Sequence, residues 1–129
     1  MGGDSPGAHP VSRYDPERAP NAAEWLALDE WTRIALVETY HRRARVQLPN
    51  RKAHAVFHVI VENQIAENLE PVVRAMSRLT AAGLARHDVV HAIAAVVAAH
   101  VRDLLTAGVD APNAQAAYHA AIERLDARS

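Results

Sequence analysis

At 129 residues, with fourteen basic side chains against fifteen acidic ones, the chain is long enough for one domain with a real core, and its net charge of −1 gives no basic footprint for nucleic acid or an anionic membrane. It has no cysteine, which excludes disulfides, thiolate metal sites and cysteine nucleophiles, so any metal must be held by nitrogen and oxygen. Half of the residues are hydrophobic, yet only one Phe, two Trp and three Tyr are among them, and Ala, Val and Leu carry the apolar load. That composition favours helices packed closely together. The expected fold is all-α, a compact antiparallel bundle of four to five helices with a flexible N-terminal arm.

The arm is expected over residues 1–20, which contain four of the seven prolines and three of the five glycines. The bundle is expected over residues 21–129. Asn21 followed by Glu24 has the side chains of a helix start, and a short turn through Leu26 leads to Asp29, which can cap a longer helix from Glu30 to about Val46. Trp31, Ile34, Ala35, Leu36 and Val37 form its apolar stripe, and Arg42, Arg43 and Arg45 gather near its C-terminal end, where cations suit the helix dipole. Leu48-Pro49-Asn50 stops it.

A second long helix should run from about Arg51 to Glu67. Pro71 then sits in the first turn of a third helix that carries Val72, Val73, Met76 and Leu79 and ends at Gly83. A fourth runs from near Arg86 to about Thr106 and is closed by Gly108. Pro112-Asn113 opens a last helix with Ala117, Tyr118, Ala121, Ile122 and Leu125 on its apolar side. No apolar run reaches the roughly 18 residues that span a bilayer, and no basic stretch followed by an apolar one opens the chain. A cytoplasmic protein that engages neither membrane nor nucleic acid is expected.

The chemistry is concentrated in His54-Ala-Val-Phe-His58-Val-Ile-Val-Glu62. Groups four apart on a helix lie on one side and drift by about 40° per step, so His54, His58 and Glu62 should share a face. His87-Asp88-Val-Val-His91 repeats the device. Random placement of eight histidines gives roughly 0.5 such pairs, so two are suggestive. Glu38-Thr-Tyr-His41 adds a carboxylate and an imidazole three apart on the first long helix. Polar groups facing a core are costly unless paired or ligated, and the economical common partner is a metal ion between helices.

The candidate ligands are therefore Glu38, His41, His54, His58, Glu62, His87 and His91. Zinc suits all-nitrogen and oxygen ligation without redox chemistry, with manganese, iron and nickel as alternatives. The corresponding function is metal-dependent hydrolysis of a small ester, lactone or phosphoester, phosphotriesters included. Glu62, or Asp88, would be the general base, and Arg86 would stabilise negative charge in the transition state. Two rivals use the same residues: a non-enzymatic metal-binding or sensing protein with a closed set of ligands, and a structural module whose histidines are satisfied core groups. The Ala-rich fourth helix also suggests a homodimer. Asn63 and Gln64 should leave the His face and bond to neighbouring elements, and His100 should face away from His91.

Across roughly Trp25 to Leu105, the motifs His54-x-x-x-His58, Glu62-Asn-Gln64, Pro71 and His87-Asp88-x-x-His91, with Tyr40-His41-Arg-Arg-Ala-Arg and Leu48-Pro49-Asn50, resemble a family of short bacterial helical proteins classed as a domain of unknown function. The resemblance implies a helical fold and gives weight to these positions, but it brings no reaction. Ala99 departs from it, standing where the family tends to carry an acidic residue.

Overall fold

The structure, a computed structural model, describes residues 13–44, 50–106 and 111–127. Among these residues there are six helices and no strand: α1 (Ala22–Ala27), α2 (Glu30–Arg43), α3 (Arg51–Ala66), α4 (Glu70–Ala81), α5 (Arg86–Thr106) and α6 (Ala111–Glu123). The all-α expectation holds, with the short turn through Leu26 counted as a helix of its own. Arg45, Val46, the Leu48-Pro49 stop and Gly108 lie outside the described residues.

Side chains cap the starts of α1, α2 and α3. Asn21, Asp29 and Asn50 each accept a hydrogen bond from the backbone N–H three residues on, at 3.0, 2.8 and 3.0 Å, and so satisfy donors that the first turn leaves open. Two ends close alike. Beyond α3, Asn68 takes φ +60° while Asn68 N–H and Leu69 N–H donate back to Ile65 and Gln64. Beyond α4, Gly83 at φ +104° and Leu84 donate back to Thr80 and Leu79 in the same way. Both are left-handed helix stops of the kind glycine and asparagine tolerate.

The core has two parts that meet on α3. One contains Val61 with Val72, Ala75 and Leu79 of α4, Val89, Val90, Ile93 and Val97 of α5, and Tyr118 and Ile122 of α6. The other contains Ala55 and Val59 with Tyr14, Trp25, Ile34 and Val37. On the α3 helical wheel these two apolar stripes flank an arc of about 80° that holds His54, His58 and Glu62. A polar layer thus separates two dry half-cores. By length and composition α5 is apolar enough to cross a membrane. In this fold its Val89, Val90, Ile93, Ala94 and Val97 are buried against the other helices.

Two expectations are corrected. Trp31 is 73% exposed and lies outside the α2 core stripe. Ile34, Val37 and His41 define that stripe, and Trp31 stands about 120° from Val37 around the helix, under the amine of Lys52. The arm also ends earlier than residue 20. Tyr14 is only 3% exposed, its ring packs on Trp25 and Tyr40, and Pro16 is buried. An aromatic ring and three polar tethers hold this segment against the bundle, which proline content alone does not reveal.

Candidate metal centre

Three helices bring histidines to one place: His41 from α2, His54 and His58 from α3, and His91 from α5. One ring nitrogen of each lies within 4.8 Å of the others. His41 and His58 are fully buried, while His54 and His91 are half-buried at the edge. The Nε2 atoms of His41 and His54 are 3.2 Å apart, and those of His54 and His91 are 3.1 Å apart. Two imidazole nitrogens on one tetrahedral zinc, each about 2.0–2.1 Å from the ion, stand about 3.3 Å apart.

Hydrogen bonding fixes which way the lone pairs point. His41 Nδ1 lies 2.9 Å from the Val37 carbonyl oxygen, which only accepts, so Nδ1 carries the proton and Nε2 keeps a lone pair. For His58 the reasoning passes through a chain. The Tyr14 hydroxyl donates its proton to Glu62, so it can only accept from His58 Nδ1 at 3.0 Å. That leaves His58 Nε2 as a lone pair, buried and without a hydrogen-bond partner. His54 Nε2 has at most one proton to share between His41 and His91. An uncharged cluster leaves lone pairs converging without enough protons to separate them, whereas a cation satisfies all four.

The surroundings keep the imidazoles neutral. Burial, reinforced by the neighbouring imidazoles, lowers His54 and His91 to about 4 and pushes His58 far below the usual histidine range. Burial and His41 also lower His87. Neutral imidazole is the ligating form.

Glu62, expected as a ligand and as the base, has a different place. It is 1% exposed, and Arg86 Nη1 and Nη2 each donate to one of its oxygens at 2.8 Å, while Tyr14 donates to Oε2. It therefore orients His58 through Tyr14 from outside the ligand set, as carboxylates commonly do behind metal-binding histidines. Arg86, expected to face a substrate, spends its donors on Glu62 and on the Pro16 carbonyl at 2.8 Å. Burial works against its charge, but Glu62 more than compensates and raises its pKa. Burial first, then the charge of Glu62, keeps the Tyr14 hydroxyl protonated far above the ordinary tyrosine range.

The remaining expected residues divide. The His87 ring sits 4.1 Å from that of His91 and about 5.5 Å from those of His41 and His58, with its Nε2 buried and unpartnered, yet it is outside the group of four. Asp88 is exposed, and Glu38 is half-buried with no part in the cluster. Asn63 accepts from Trp25 Nε1 and Arg33, and Gln64 accepts from the Tyr118 hydroxyl, so both leave the His face as expected. His100 stacks on Tyr118, away from the cluster. Ala99 lies two turns, about 12 Å, along α5 from His91. Tyr14 is the residue that sequence reasoning missed. Its signal was slight: it is the only Phe, Trp or Tyr in the first twenty residues.

A cavity of about 470 Å³ opens beside Tyr14 and Tyr40, and none of the five imidazoles lines it. No family model, curated protein or solved structure matches this chain.

Proposed function

We propose that the protein holds one transition-metal ion between α2, α3 and α5, with His41, His54, His58 and His91 as ligands, and that it acts as a metal-binding or sensing protein. The observation that carries this reading is the convergence of four ring nitrogens within 4.8 Å, two of them with lone pairs fixed inward by their outer hydrogen bonds. Four protein ligands complete a tetrahedral zinc, which is the pattern of sites that hold rather than transform. The carboxylate best placed to act as a base, Glu62, is tied to Arg86 and Tyr14. Zinc is the favoured ion, with nickel and iron next. Manganese, which prefers oxygen ligands, suits four imidazoles least.

Elemental analysis of protein purified without a histidine tag should give about one equivalent of metal, and the His58→Ala, His91→Ala double variant should have lost it. Zinc should also raise the melting temperature of the parent and not that of the variant, because only the folded state gathers the ligands. A metal-free parent that added zinc, nickel and iron all fail to stabilise would overturn the reading.

One observation favours hydrolysis as a second reading. His87 Nε2 is buried beside the cluster, unpartnered and outside the group of four, so it is a neutral base that holding the ion does not use. If hydrolysis is the function, zinc-loaded protein will cleave p-nitrophenyl acetate or a p-nitrophenyl phosphoester faster than free zinc, and His87→Ala will abolish the excess rate while keeping the metal. Equal rates for protein and free zinc would remove this reading and leave the first intact.

A further inference from the structure

Residues 14–17 touch the cluster from outside the helices, and each contact reaches a part of the site. The Tyr14 hydroxyl bridges His58 Nδ1 and Glu62. The Pro16 carbonyl accepts from Arg86, the partner of Glu62. Glu17 accepts from the His87 backbone N–H at 3.3 Å, which places an acid at the N-terminus of α5. The Tyr14 ring is wedged between Trp25, Tyr40 and His58, with centroids 5.7, 6.2 and 5.4 Å away. Among the described residues, the segment meets the helices through the Pro16 carbonyl to Arg86, the Glu17 carboxylate to His87 N–H and the Tyr14 side chain, so its position rests on those contacts.

We propose that residues 14–17 are a latch whose docking is coupled to metal occupancy, with Tyr14 as the positioning residue. The inference rests on the metal reading above and adds how the ion is reported to the rest of the chain. An ion on His58 Nε2 withdraws electron density from the ring and makes Nδ1–H a stronger donor to the Tyr14 oxygen. That oxygen is already polarised by donating to Glu62, and hydrogen bonds in such a chain strengthen one another. Metal therefore tightens the latch. By linkage the docked latch tightens the metal by the same factor, because undocking strips His58 of the acceptor that fixes its tautomer. Metal loss would loosen Tyr14 and with it residues 14–17.

The test uses the full chain and zinc chloride as the probe. Hydrogen exchange of the amides from Tyr14 to Arg18 is measured with and without zinc, and zinc affinity is measured by competition with a chromophoric chelator in the parent, in Tyr14→Phe and in Leu79→Ala. Zinc should slow exchange of this segment about tenfold in the parent. Tyr14→Phe, which keeps the ring and loses both hydroxyl bonds, should weaken zinc by about 10 to 100-fold and abolish the slowing. Leu79→Ala lowers stability from the other half-core, which contains neither Tyr14 nor a clustered histidine, and should retain the parent's zinc affinity, which a merely structural role for Tyr14 would not allow. If the parent binds zinc but its exchange does not change, or Tyr14→Phe binds as tightly as the parent, the coupling falls and the metal site stands. If the parent binds no zinc, both fall.

Discussion

Glu62→Ala is expected to destabilise the fold by about 3–5 kcal/mol, among the largest effects of any single substitution here. Glu62 is 1% exposed and the Arg86 side chain 12% exposed, so neither charge can turn to water when its partner is removed. The substitution leaves the Arg86 guanidinium with only the Pro16 carbonyl and leaves the Tyr14 hydroxyl without its acceptor. An uncompensated buried charge is what makes the loss large, since the intact pair itself contributes little beyond its own desolvation. The double variant Glu62→Leu, Arg86→Met should therefore be more stable than Glu62→Ala alone, although Tyr14 and Pro16 still lose partners. Urea unfolding followed by circular dichroism measures both. A loss below about 1 kcal/mol for Glu62→Ala would mean that water reaches Arg86.

Acid should unfold the metal-free protein well above the pH at which its carboxylates protonate. His54 and His91 titrate at about 4 in the fold, and His58 and His87 are also lowered, against 6.5 for an unperturbed histidine. The sign follows from proton uptake: below 6.5 the unfolded chain binds protons that the folded cluster refuses, so stability falls as pH falls. It is fully present above about 6.5 and lost progressively toward 4. After discounting for their half-burial, His54 and His91 contribute about 1–2 kcal/mol each over that window. Asp88 beside His87 and His91, and Asp15 near His87, oppose the shift only in part. Chelator-treated protein should thus lose melting temperature steadily between pH 6.5 and 4, whereas His54→Phe, His91→Phe should show a shallower slope. A flat profile over that range would show that the imidazoles are open to solvent.

The sequence made the helices legible because their signals are local. Asn21, Asp29, Asn50, Pro71 and Gly83 mark ends through capping and backbone preference, which neighbours a few residues away decide. The shared face of His54, His58 and Glu62 was legible too, since helical periodicity alone dictates it. What stayed hidden is long-range. Nothing in the spacing says that a tyrosine 48 residues before Glu62 takes that carboxylate, or that Arg86 turns inward to it. Glu62 therefore reads as a ligand in the sequence and stands behind a ligand in the fold. Trp31 misled in the other direction, because bulk and hydrophobicity suggest burial that its angle on α2 denies.

The polar layer between the two half-cores also governs how the helices index against each other. Ala- and Val-rich surfaces are smooth, and smooth helices can slide by a turn at little cost in apolar contact. On α3 a slide of four residues, about 6 Å, would even keep polar side chains in the layer, because His54, His58 and Glu62 recur at that interval. It would, however, carry Glu62 into the slot of His58 and away from Arg86, burying a carboxylate among imidazoles and leaving a guanidinium stranded. Glu62 and Arg86 act as a tooth and its notch: Glu62 is the unlike member of the repeating α3 row, and its pairing with Arg86 on α5 sets an otherwise slippery pair of helices in register.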